Sequence, residues 1–270
     1  MDSVLATVVP EIEASQLDFT YHKASIPNEE VPSCVSQFPL AANKDPMSPE
    51  MVIGLLTEIP RWVRGSVINF AAYSGGYPKP EDAVYAAQQL NRAALLWNSK
   101  NVGVTFRWVS STTAQPIGIP TRTSTLSLSL SLSLLTNRSP QVAKVEDAAF
   151  VLGYGKGDNP GLIARAFFPN NIDHSDMLVF KSALQEPHRP HLWRYFLHEL
   201  GHVLGLRHEF ALAGEVGGFQ FGPRDPFSVM NYRSEPPMIT QNDVDCTTAL
   251  YWLPGGKIGT IPLALYVPDN

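Results

Sequence analysis

The segment HELGHVLGLRHE, residues 198–209, contains three of the seven histidines in this 270-residue chain. Strong helix formers predict a helix on which His198 and His202, four residues apart, lie on one face about one turn from each other. Two imidazoles in that arrangement can share one metal ion, and neutral imidazole nitrogen is a preferred ligand of Zn²⁺. A catalytic zinc site has three protein ligands and one open position, so a third ligand is expected nearby.

Gly205 lies between His202 and the third histidine, His208. If the helix continued, His208 would stand about two turns or more beyond His198, which is too far to share one ion. Glycine adopts a left-handed backbone conformation without a Cβ clash, so Gly205 can end the helix and turn the chain back. We therefore expect Zn²⁺ to be held by His198, His202 and His208.

Glu199 directly follows the first expected ligand and is not needed as a ligand itself. A zinc ion lowers the pKa of a bound water to about 7, and a neighbouring carboxylate can take the proton of that water as it attacks a carbonyl carbon. Attack on an amide is the natural use of such a pair. Glu199 is therefore the expected general base of a hydrolytic reaction.

The histidine segment resembles the signature HExxHxxGxxH of the metzincin zinc peptidases at every specified position. That group also has a methionine turn beneath the metal, and DPFSVMNY, residues 225–232, supplies Met230 downstream. Glu209 and Tyr232 are more similar to the astacin branch than to the matrix metalloproteinase branch. The resemblance implies that Tyr232 is a displaceable zinc ligand that stabilises the oxyanion, and that Glu209 helps to anchor the mature N-terminus.

The resemblance also implies a fold and a substrate. The expected fold is the zincin-like fold of metzincins, with a mixed twisted sheet, the active-site helix, the Met-turn and a C-terminal helix over MITQNDVDCTTALYWL, residues 238–253. A polypeptide substrate would lie extended beside the edge strand LIARAFF, residues 162–168. We predict a zinc-dependent endopeptidase in which Glu199 activates a zinc-bound water. Two alternatives stay open, a catalytically silent zinc-binding module and a zinc hydrolase of a non-peptide amide.

The elements around the motif predict a mixed α/β sheet domain of the α+β class. Patterns of β-branched and aromatic residues predict strands at 64–76, 104–109, 147–155, 162–168 and 177–180. Helices are expected at 48–60, at 79–101, and from Pro190 through the histidine segment. The helix at 79–101 has one apolar face, formed by Ala83, Ala87, Leu90, Ala94 and Trp97.

Two segments stand apart from the catalytic domain, which we expect over residues 51–270. Residues 1–50 lack a sustained period and are predicted to be an N-terminal extension or a pro-segment. Leu and Ser alternate strictly over 123–137, a pattern of a β-strand but also of a translated dinucleotide repeat. We expect a low-complexity surface insertion at about 120–140 that takes no part in the chemistry.

The overall composition and charge indicate which classes of binding partner to expect. The net charge is −5 with a pI near 5.8, and no basic run favours nucleic acid or an anionic membrane surface. We expect a monomer without a membrane partner. The sequence as written shows no secretion signal, whereas the resemblance implies a secreted protein. Cys34 and Cys246 either form one bridge or remain two free thiols.

Overall fold

The computed structural model describes residues 33–34, 51–55, 57–112, 148–156, 161–171, 175–211 and 218–269. The predicted extension at 1–50, apart from its residues 33–34, and the predicted insertion at 120–140 lie outside these residues. Three sheets and three α-helices within the described ranges give a mixed fold of the α+β class. None of these helices combines the length and the apolar character that a membrane span requires.

The strands, in chain order, are β1 (Ser33–Cys34), β2 (Val52–Ile53), β3 (Ile59–Trp62), β4 (Val67–Tyr73), β5 (Thr105–Thr112), β6 (Phe150–Tyr154), β7 (Leu162–Arg165), β8 (Ser175–Val179), β9 (Leu206–Arg207), β10 (Phe219–Gln220), β11 (Lys257–Ile258) and β12 (Ile261–Tyr266). The helices are α1 (Pro80–Ser99), α2 (Leu192–Val203) and α3 (Gln241–Trp252). The five predicted strands and the predicted C-terminal helix are therefore present.

The large sheet has the strand order β1, β7, β8, β6, β4, β5. Its pairs are parallel except for β7 and β8, which are antiparallel. The predicted edge strand at 162–168 is shorter than expected, since β7 ends at Arg165. It is also not the outermost strand of the described sheet, because β1 pairs with its outer side in the parallel direction.

Helix α1 covers the large sheet with the predicted apolar face. The five residues of that face are at most 5% exposed. Trp97 at its end donates a hydrogen bond from Nε1 to the carbonyl oxygen of Leu197, 3.0 Å away. This bond ties α1 to α2. A 3-10 turn, Arg189–His191, precedes α2, so the regular helix begins two residues after the predicted first position, Pro190.

The helix predicted at 48–60 is wrong. The segment instead forms β2 and β3, with hydrogen bonds in both directions between the backbones of Leu55 and Glu58. Gly54 has a φ of 95°, a left-handed conformation that a helix interior cannot contain. Val52 and Ile53 lie between β9 and β10 in a three-stranded sheet and are fully buried. A sheet buries both side chains, whereas one face of a surface helix would remain in water.

Candidate metal centre

The C-terminal end of α2 is fixed by donors from other parts of the chain. Trp62 donates from Nε1 to the carbonyl oxygen of Val203 at 2.7 Å. Tyr251 on α3 donates its hydroxyl to the carbonyl oxygen of Leu204 at 3.1 Å. Carbonyl groups in the last turn of a helix have no partner within the helix, so these two bonds hold the end that carries the second histidine.

Gly205 turns the chain as the sequence predicts. Its φ is 95°, and a Cβ atom there would lie 2.5 Å from the carbonyl oxygen of Pro60. Both the backbone conformation and the lack of space therefore require glycine. The chain then enters β9, which pairs antiparallel with β2, and Arg207 donates from Nη1 to the carbonyl oxygen of Gly54 at 3.0 Å. This pairing returns His208 towards α2.

His198, His202 and His208 come together as one buried group. Each offers a ring nitrogen, and the three nitrogens lie within 4.8 Å of one another. Nε2 of His202 and Nε2 of His208 are 3.2 Å apart. The three histidines that the sequence predicts as ligands are thus close enough to hold a metal ion.

Backbone carbonyl groups set the orientation of two of the three rings. Nδ1 of His198 lies 2.7 Å from the carbonyl oxygen of Val229, and Nδ1 of His202 lies 2.9 Å from that of Leu206. A carbonyl oxygen only accepts, so each Nδ1 carries a proton. Burial, followed by the neighbouring His208 and His198, lowers the pKa of His202 well below its usual value. His202 is therefore neutral, and the lone pair on its Nε2 is suited to a metal ion.

Two phenylalanine rings pack against the histidine group, and neither was predicted from the sequence. The Phe210 ring stacks on His208 with centroids 4.7 Å apart and an interplanar angle of 8°. The Phe168 ring meets His202 edge to face at 5.4 Å. Phe168 belongs to the segment predicted as a strand and Phe210 follows the histidine motif, but no spacing rule distinguishes either from a core aromatic residue.

The structure brings Tyr232 into the histidine group. Its phenol oxygen is 3.0 Å from Nε2 of His208, and its ring stacks on His198 at 5.6 Å. Glu199, next to His198 on α2, is only 1% exposed and does not belong to the three groups that could hold the ion. Both predicted catalytic side chains therefore adjoin the candidate ligands without replacing any of them.

Met230 lies directly beneath α2. It is fully buried, and a Cβ atom at Gly201 would overlap its sulfur atom. Gly201 stands between the two histidines of the helix, so the absence of a side chain there lets the methionine turn reach the helix. Met230 therefore packs against α2 at Gly201, and the need for glycine at that position was not foreseen.

Glu209 is fully buried beside the methionine turn. Its Oε2 accepts hydrogen bonds from Asn231 Nδ2 at 2.9 Å and from the backbone N–H of Asp225 at 3.3 Å. Its Oε1 is buried without a hydrogen-bond partner among the described residues. Burial raises the pKa of Glu209 to about 7. A cationic group at Oε1 would offset the cost of this desolvated oxygen.

Cys246, whose pairing with Cys34 the sequence leaves open, does not belong to the histidine group. Cys246 is a free, buried thiol, so the bridge to Cys34 is not formed. Burial and then nearby carboxylates raise the pKa of Cys246 to about 11, which keeps it a thiol. His188 is outside the histidine group and contacts the hydroxyl of Tyr195 at 3.0 Å.

Comparison with models of known protein families gives no match, and comparison with curated proteins gives none either. The structure itself establishes an α+β fold with three buried histidines that are close enough to hold a metal ion. The chemistry of these side chains bears on the choice of metal and on the reaction.

Proposed function

We propose that the chain is a zinc-dependent endopeptidase of the metzincin type, most similar to the astacin-like branch. The observation that carries the proposal is the convergence of the three histidine nitrogens. Two nitrogens bound to one tetrahedral zinc ion at their usual bond length lie about 3.3 Å apart. The separation of 3.2 Å between Nε2 of His202 and Nε2 of His208 fits that value. An all-imidazole donor set also suits zinc better than magnesium or calcium, which prefer oxygen.

The surrounding elements support the metzincin assignment. A mixed sheet with one antiparallel pair of strands, a helix with two of the histidines, a methionine turn and a C-terminal helix follow each other in the order that the resemblance implies. The buried, unsatisfied Oε1 of Glu209 supports the astacin-like branch, in which this carboxylate anchors an amino terminus. The ammonium group of a processed chain would supply the cation that this oxygen lacks.

Each side chain then has a chemical role. A zinc ion held by the three histidines would polarise the scissile carbonyl group and lower the pKa of water to about 7. Glu199 takes a proton from the attacking water and gives it to the nitrogen of the leaving amine. Its burial, at 1% exposure, excludes bulk water and strengthens its interaction with the reacting proton. Tyr232 donates a hydrogen bond to the carbonyl oxygen as negative charge develops there.

The substrate strand would add to the outer side of β7. In the structure this side pairs with Ser33–Cys34, and this pairing supports the proposal that an extended segment binds there. Main-chain pairing of this kind binds a polypeptide without regard to most of its side chains. A substrate has to displace β1 to occupy the same edge, so removal of the N-terminal extension favours binding.

The direct test is hydrolysis of a mixed peptide library by the purified protein, with and without a chelator. We expect internal cleavage that stops when the chelator is added and returns with Zn²⁺. Cleavage confined to a non-peptide amide would favour the alternative hydrolase. Tight zinc binding without cleavage of any peptide would favour the silent zinc-binding module, and failure to bind zinc would overturn both the proposal and these alternatives.

Tyr232→Phe is expected to lower kcat by up to about 10²-fold with little change in zinc content or KM. The substitution keeps the ring that stacks on His198 but removes the hydroxyl 3.0 Å from Nε2 of His208. Tyr195→Phe is a matched control, because that hydroxyl contacts His188 instead. An unchanged kcat for Tyr232→Phe would return Tyr232 to a packing role.

A further inference from the structure

Asp243, in the first turn of α3, is a fully buried carboxylate that contacts the methionine turn. Its Oδ1 accepts a hydrogen bond from the hydroxyl of Ser228 at 2.5 Å, and its Oδ2 accepts one from the backbone N–H of Val229 at 2.8 Å. It also belongs to the capping box of α3, where Oδ2 accepts from the N–H of Thr240 at 2.8 Å and from its hydroxyl at 3.1 Å. One side chain therefore joins the start of α3 to the methionine turn.

Val229 continues this connection to the metal centre. Its N–H is bound by Asp243, and its carbonyl oxygen accepts the bond from Nδ1 of His198 at 2.7 Å. The hydroxyl of Ser228 in turn accepts from the N–H of Met230 at 3.0 Å. The orientation of His198 thus depends on a short backbone segment that Asp243 holds at two points.

A helix cap alone does not account for this arrangement. Capping residues act well at the protein surface, where they avoid the cost of burying a charge. Burial is the main cause that raises the pKa of Asp243, while its hydrogen bonds to Ser228, Thr240 and Val229 oppose the rise. The site therefore bears a desolvation cost, and two of the compensating groups belong to the methionine turn.

The second histidine of α2 gives a useful comparison. The carbonyl group that orients His202 belongs to Leu206, which is fixed by its pairing with Ile53 between β9 and β2. The carbonyl group that orients His198 lies in a turn outside the named strands. A turn lacks the backbone hydrogen bonds that hold a paired strand in place. In this turn, hydrogen bonds with the buried side chain of Asp243 hold the backbone instead.

We infer that Asp243 is a positioning residue of the metal centre, which orients His198 through the backbone of Val229 while it caps α3. The inference rests on the proposed metal site. Asp243 does not belong to the three groups that could hold a metal ion. Its contribution is to keep the lone pair of His198 Nε2 directed at the same point as those of the other two histidines.

Two single-hydroxyl variants separate the two parts of this role. Ser228→Ala removes a bond on the methionine-turn side of Asp243, and Thr240→Ala removes a bond on the capping side. The dissociation constant for Zn²⁺ is measured by competition with a chromophoric chelator, and the melting temperature is measured on the metal-free proteins. We expect both variants to melt earlier, but only Ser228→Ala to bind zinc more weakly.

Substitutions of Asp243 itself measure how strongly this residue affects the affinity for zinc. Asp243→Ala is expected to weaken zinc binding by about 10- to 100-fold, the usual cost of losing a group that orients a ligand. Asp243→Asn should retain most of the affinity, because its oxygen can accept from Val229 and Thr240 while its amide donates to Ser228. Equal losses of zinc affinity in Ser228→Ala and Thr240→Ala, or wild-type affinity in Asp243→Ala, would overturn the inference. Wild-type protein that binds no zinc would overturn the proposed function, and this inference with it.

Discussion

Glu199→Gln is expected to reduce kcat for peptide hydrolysis by about 10²- to 10⁴-fold while the metal content stays near that of the wild type. Glutamine has the size of glutamate and keeps one hydrogen-bond acceptor, but it cannot take up a proton from water. Glu199 lies outside the three groups that could hold the ion, so its replacement leaves the donor set intact. The measurement is kcat on a peptide found by library screening, together with zinc content by elemental analysis.

Glu186→Gln is the matched control for this change, since Glu186 is an exposed carboxylate outside the three-histidine group. It should hydrolyse peptides at the wild-type rate. Hydrolysis that survives in Glu199→Gln would mean that another group activates the water. Loss of zinc from that variant would mean that Glu199 supports the ligands instead of moving a proton.

The features that the sequence predicts well are those set by local physics. The four-residue spacing of His198 and His202 fixes their common face on any helix. The turn at Gly205 follows from the freedom of glycine at positive φ, and the observed value of 95° agrees with it. The spacing of apolar residues along α1 likewise identifies its buried face, and this requires no knowledge of the element that packs against it.

The features that could not be predicted depend on contacts between distant parts of the chain. Strand β2 has only two residues, and it exists because Val52 and Ile53 pair with Leu206–Arg207 on one side and with Phe219–Gln220 on the other. No local pattern distinguishes such a pair from part of a helix, so the sequence predicts a helix there. The overlap that excludes a side chain at Gly201 is also invisible until Met230 is placed beneath it.

Asp243 lies between these two cases. The series Thr240, Gln241, Asn242, Asp243 has the local form of a capping box, although no capping role for Asp243 was predicted from the sequence. The hydrogen bonds of Asp243 with Ser228 and Val229 could not be predicted from the sequence. These two residues lie in a turn that precedes the helix, and only the fold brings that turn next to the carboxylate. A local signal can therefore identify the residue while only the fold reveals its second partner.

His202→Ala is expected to remove zinc binding and peptide hydrolysis together. His202 is fully buried, and its Nε2 lies 3.2 Å from Nε2 of His208. Its loss leaves two histidine ligands, fewer than the three that catalytic zinc sites use. A ligand that binds only the folded state stabilises it by about 2.7 kcal/mol at a concentration 100 times its Kd. The wild type should therefore melt later when zinc is added, and His202→Ala should not.

The comparison of melting with and without zinc separates metal binding from general damage. Truncation of a buried ring lowers the stability of the metal-free protein through lost packing, for example against Phe168, so the absolute melting temperature is not the test. The zinc-dependent shift is the test. His191→Ala is the control, because His191 is half-buried outside the histidine group and its loss should leave the shift intact. A zinc-dependent shift that persists in His202→Ala would place the metal elsewhere and remove the basis for assigning Glu199 as the general base.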